Sequence, residues 1–269
     1  MLNIISISII CLLVFFSISN QHIFIAEALA ANKNSDTSST MPIVNSKNMQ
    51  TGMEFVFVPG GCFTMGSEKG NLNEKPVHQV CLSDFFIGKY EVTQGDWQRV
   101  MGYNPSKFKS CGDSCPVEQV GWNEAQEFIR KLNNMTGKTY YLPTEAEWEY
   151  ACRSGGKSEL YCGGENITDL AWQDRNVSGG THPVGLKAPN GIGAYDMSGN
   201  VWEWVEDWSG DYLDIDQQDP AGPSSGSSRV RRGGSWHYGA NQARSTWRSS
   251  GYPDDQAFDL GFRIMYPGP

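Results

Sequence analysis

The sequence predicts an α+β fold with a large share of irregular backbone. Three observations lead there. Helical periodicity is confined to the first half of the chain, short aromatic-centred segments fill the second half, and thirty glycines accompany nine tryptophans. Large rings supply a core while glycines allow the turns between short pieces, and helices segregated from strands are the mark of α+β architecture.

Met53 to Phe57 (MEFVF) alternates and runs into Pro59-Gly60-Gly61, which reads as a strand closed by a turn. Cys62 to Gly66 reads as a second strand, and His78 to Val92 as one strand or two, placing Cys81 where it can face Cys62. Thr93 is an N-cap candidate for a helix carrying Trp97 and stopped by Gly102. Trp122, Ala125, Phe128, Ile129 and Leu132 form one apolar stripe of a second helix, ended by Gly137. Thr144 and Glu147 make a capping box for a third, which carries Trp148 and Ala151 inward and ends before Gly155-Gly156. Beyond it, Val201–Val205, Arg231–Trp236 and Leu260–Met265 read as short strands.

Residues 1–30 read as a signal peptide. Ile4–Ile18 is apolar apart from serines, and Ala28-Leu29-Ala30 offers a small-x-small cleavage pattern. A membrane anchor is the rival reading of the same run. Residues 31–50, polar and Ser/Asn-rich, read as a flexible linker, and 51–269 as one domain. The mature protein is therefore expected outside the cytoplasm, secreted or periplasmic, and not embedded in a membrane. The formal charge of −9 and the lack of a long basic cluster exclude a nucleic-acid surface. Six cysteines lie beyond the leader, in three local pairs: Cys62 with Cys81, Cys111 with Cys115, and Cys152 with Cys162. In an exported chain these read as disulfides. Metal binding is the alternative for Cys111-Gly-Asp-Ser-Cys115, although no second Cys/His pair at zinc spacing follows.

The segments FVPGGCFTMGS, FFIGKYEVTQGDW, VGWNEAQEFIRKLN, YLPTEAEWEYACR, THPVG, PNGIGAYDMSGNVWEWVEDW, DPAGPSSGSSRVRRGGSW and LGFR occur in that order. As a set they resemble the sulfatase-modifying-factor family, the formylglycine-generating enzymes and their relatives, from about Met53 to Arg263. The resemblance implies a variant of the C-type lectin fold. It also implies a structural Ca²⁺ whose ligands fall on Asp196, Gly199, Val201 and Glu203, oxygen donors suited to a hard cation. A second calcium loop of the family matches the region after Trp172, where this chain is shorter. On the residues alone, Trp202 and Trp204 read as core and the two acids as solvated.

Formylglycine-generating enzymes hold Cu(I) through two thiolates placed soon after the Gly-Gly-Ser motif. Here Gly233-Gly234-Ser235 is followed by Trp236-His237-Tyr238, with Tyr238 where the first cysteine would stand, and no cysteine occurs after Cys162. Copper is therefore not expected, and the sequence offers no catalytic residue. The expectation is a non-catalytic binding module whose surface comprises Ser235, Trp236, His237, Tyr238, Arg244, Trp247 and Arg248, meeting a protein, peptide or carbohydrate. The alternative implied by the resemblance is an oxidoreductase acting on a protein cysteine or another small substrate. The sequence leaves the oligomeric state open.

Overall fold

A computed structural model describes residues 45–173 and 179–269. The candidate signal peptide, most of the stretch read as linker, and the centre of the loop after Trp172 lie outside the described residues. Among the described residues no helix is long and apolar enough to cross a membrane.

Among the described residues eleven strands form three sheets, accompanied by four α-helices. Strands β1 (Asn45–Lys47), β2 (Glu54–Val58), β5 (Phe85–Gly88) and β11 (Met265–Pro267) form an antiparallel sheet in that spatial order. β3 (Gly61–Met65) and β4 (His78–Leu82) pair antiparallel, with β7 (Gln217–Gln218) beside β4. β6 (Trp202–Trp208) lies between β10 (Leu260–Phe262) and β8 (Arg229–Arg232), and β9 (Ser249–Gly251) completes that sheet. β1 lies inside the stretch read as linker, so the packed fold begins at least at Asn45 rather than at 51.

The helices follow their caps. In α1 (Gln94–Met101) the Asp96 N–H donates to Thr93 Oγ1 at 3.1 Å, and Gly102 closes the helix at φ 85°. α2 (Trp122–Thr136) buries Ala125, Phe128, Ile129 and Leu132 and ends at Gly137, φ 69°. Trp122 of the predicted stripe sits at the margin, its Nε1 donating to the Val205 carbonyl. α3 (Glu145–Cys152) opens with the Thr144–Glu147 box and is buried along nearly its whole length. α4 (Ile167–Leu170) is a single turn that the sequence reading did not contain. α3, with Trp148 fully buried, packs with Val56, Phe63, Ile87 and Val205 in the core.

All three cysteine pairs are disulfides: Cys62–Cys81 across directly paired residues of β3 and β4, Cys111–Cys115, and Cys152–Cys162. The metal alternative for Cys111 and Cys115 is thereby removed. Two strand readings need correction. β8 ends at Arg232 instead of running to Trp236, because Gly233 and Gly234 take φ of 94° and 73°. Leu260–Met265 is two strands in two sheets, broken at Arg263, whose side chain turns inward to Glu203.

Candidate functional site

The Gly233-Gly234 turn is required by close packing. A Cβ on Gly234 would stand 2.9 Å from backbone atoms of Gln242, and one on Gly233 would meet the Met197 carbonyl at 3.2 Å. The turn delivers Ser235 inward, where its Oγ donates to Asp259 Oδ2 at 2.6 Å, while the Trp236 N–H donates to the Asn200 carbonyl. The Trp236 ring lies against Phe108 (5.5 Å) and Phe258 (5.6 Å). The next two residues emerge on this platform. His237 is exposed with its ring 5.2 Å from Phe258, and Tyr238, 39% exposed, meets Trp202 edge-on at 5.8 Å.

The seven residues read as one binding surface are therefore not one surface. Ser235, Trp236 and Arg248 are buried; His237 and Tyr238 form an exposed tip; Arg244 and Trp247 are half-buried. Arg244 donates to both oxygens of Glu74 (2.9 and 2.7 Å), which secures the turn at Leu72–Glu74. Arg248 grips Glu145 at 2.6 and 2.7 Å and donates to the carbonyls of Asn73 and Gly210. Both arginines hold the fold. Phe108, Phe258 and Asp259, which position the tip, escaped the sequence reading because their partners lie far away along the chain.

The four residues implied as calcium ligands lie at the start of β6. Asp196, at φ 56°, accepts the Gly185 N–H with Oδ2 at 2.7 Å, and its buried Oδ1 has no hydrogen-bond partner. Glu203 is buried and committed: Arg263 reaches its oxygens at 2.7 and 2.6 Å, and Trp148 Nε1 donates to Oε2 at 2.7 Å. Gly199 carries a Cβ-forbidding contact, 2.2 Å from the Trp172 carbonyl, and Val201 donates its N–H to Glu91 Oε1. Glu91 was missed. Its Oε2 also accepts from Asn200 Nδ2 at 2.7 Å, which ties β6 to the segment before α1. Its signal was a lone acid between apolar positions in GKYEVT. Burial pushes Asp196 up to about 6, and burial with the neighbouring Asp196 and Glu203 charges raises Glu91 well above the carboxylate range. Among the described residues no group of three or more His, Cys, Asp or Glu side chains is arranged as a metal centre.

Copper does not fit. Every cysteine from Cys62 onward is in a disulfide, and the position after Gly-Gly-Ser-Trp presents an imidazole and a phenol in place of thiolates.

The sequence profile of the "Sulfatase-modifying factor enzyme 1-like domain" matches residues 40–266. The chain belongs to the sulfatase-modifying-factor family. Within it, the chain is 32% identical over 272 residues to "Chaperone protein LppX" of Paenibacillus barcinonensis, covering 82% of this chain and 91% of that one. It is 29% identical over 305 residues to the formylglycine-generating enzyme of Mus musculus, covering 87% and 78%. The solved structure of Treponema denticola variable protein 1 superposes with a TM-score of 0.78 at 31% identity, over 84% of this chain and 99% of that one. The fold is thus the C-type-lectin-like one that family members share.

Proposed function

We propose that this sulfatase-modifying-factor domain is an exported, non-catalytic binding module whose contact surface is the His237–Tyr238 tip on its aromatic platform. The observation that carries the reading is the fate of sulfur: no cysteine follows Cys162, and each one from Cys62 onward is cross-linked. Cu(I) selects soft thiolates, and this chain has none to offer beside Ser235. In their place stand two exposed rings backed by Trp202, Trp236 and Phe258, an arrangement suited to a peptide or carbohydrate face. Three disulfides accord with an oxidising compartment, and with the leader they support export. The relatives include both a protein named as a chaperone, which supports a binding role, and one named as an enzyme, which supports the alternative. The deciding experiment is copper loading followed by incubation with a Cys-x-Pro-x-Arg peptide under oxygen. No aldehyde product is expected by mass; its formation over multiple turnovers would establish the oxidoreductase reading instead.

A structural calcium belongs to the same proposal. Three buried carboxylates, Glu91, Asp196 and Glu203, face one guanidinium, Arg263, and Asp196 keeps an open oxygen. A divalent cation at Asp196, with carbonyls of Gly199 and Val201, would balance that charge. EDTA is then expected to lower the melting temperature of the wild-type chain but not that of Asp196→Ala. Identical EDTA responses in the two proteins would exclude the ion.

A further inference from the structure

A cleft of about 410 Å³ lies beside the first turn of α3, and neither His237 nor Tyr238 lines it. Its walls are apolar, from Met65, Ala146, Trp208, Leu213, Pro220 and Pro223. Its polar groups are unevenly spent. The guanidinium of Arg248 is taken up by Glu145 and by the Asn73 and Gly210 carbonyls, so it is not poised for an anion. The His78 Nδ1 lies 3.1 Å from the Pro76 carbonyl. Asp207 uses Oδ2 for the Glu145 N–H, and Asp211 lines the opening.

The rim is acidic and apolar at once. From Ser209 to Ser228 the chain has no Lys or Arg, yet it contains Asp211, Asp214, Asp216 and Asp219. Asp219 is engaged with Ser83. Among the described residues Asp211, Asp214 and Asp216 are exposed and take part in no ion pair. Between them Leu213 and Ile215 are 57% and 59% exposed. Two large aliphatic side chains standing in water beside an open apolar cleft mark a contact surface rather than a solvated loop. The stretch Asp-Tyr-Leu-Asp-Ile-Asp sets three exposed carboxylates and two exposed aliphatic side chains on one loop beside the cleft.

We infer that this cleft and rim form a second docking site, for a cationic peptide segment that places an apolar side chain in the cleft and its Lys or Arg residues on Asp211, Asp214 and Asp216. Charge complementarity selects the occupant, because unpaired like charges on one loop exclude acidic partners and steer basic ones. The site is separate from the tip invoked above and stands whether or not that tip binds anything.

The probe is the blocked peptide Lys-Leu-Lys-Phe-Lys-Leu-Lys, titrated calorimetrically into the purified chain at roughly 50 mM salt, where surface charges are little screened. Binding is expected to weaken about tenfold or more in the triple variant D211N/D214N/D216N. It is also expected to weaken in Ala221→Phe, whose exposed position at the cleft lets the ring fill the mouth without disturbing the core. Melting temperatures check that both variants are folded. The analogues with Glu for Lys, or Ser for Leu and Phe, are expected to bind far more weakly. Absence of binding, equal binding of either analogue, or undiminished binding to both variants would overturn the site.

Discussion

At the residue scale, Asp207, a buried carboxylate lining the cleft, is strongly altered by its surroundings. Burial, and then the Glu145 charge, push it from an ordinary 3.8 up to about 8. Between about 4 and about 8 the native state therefore holds a proton that the unfolded chain has lost. Its contribution to stability is full at the acid end and declines as pH rises, by roughly 1.4 kcal/mol per pH unit. Asp207→Asn keeps an acceptor for the Glu145 N–H and removes the proton. Its urea midpoint is expected to vary less with pH across that window than the wild type's, and an unchanged slope would refute the assignment. Asp207 was unremarkable in WVEDW as a sequence. Only its position over the first turn of α3 makes it unusual, and no local pattern records that.

At the element scale, the chain was most readable where the determinants are local. Thr93, joined in the structure by Asp96, and Thr144 with Glu147 cap the expected helices, and Gly102 and Gly137 stop theirs in the left-handed conformation. Backbone groups at helix ends need nearby partners, so the signal sits within four residues. Strands were harder. β8 was expected to run to Trp236, but the Gly233-Gly234 turn redirects the chain and sets Ser235 on Asp259. Gly234→Ala meets both a positive φ and a Cβ contact of 2.9 Å, so it is expected to destabilise by about 2 kcal/mol or more. Thermal or urea unfolding reads this directly; a loss within about 0.5 kcal/mol, the range of inert surface changes, would mean the turn is not constrained as described. The site inherits this limit. Its tip was readable from the Gly-Gly-Ser-Trp segment, whereas Phe108, Phe258 and Asp259 beneath it were not.

At the scale of the whole molecule, buried arginines join segments that share no continuous helix or strand. Arg263 interrupts β10 and β11, pairs with Glu203 on β6, and donates to the carbonyls of Gly88 and Tyr195. Arg232 reaches Glu149 and Glu145 on α3, and Arg248 also donates to Glu145. A fold with so much irregular backbone uses these forked donors to satisfy carbonyls and carboxylates that sheets and helices leave open. Removing one partner strands the others, so Arg263→Met is expected to lose about 3–5 kcal/mol in urea unfolding. A loss below about 1 kcal/mol would show that the network contributes little.

The amino-acid order by itself determined the α+β class, the capped helices, the local grouping of the cysteines and the absence of a thiolate pair after Cys162. Each of these depends on composition or on neighbours a few residues apart. Tertiary structure alone decided that Arg244 and Arg248 serve the scaffold, that Glu91 joins Asp196 and Glu203, and that an acidic, apolar rim borders a cleft. Those facts depend on contacts between segments up to 175 residues apart, as between Asn73 and Arg248. Such pairings come from chain topology and side-chain packing, which no short window of sequence contains.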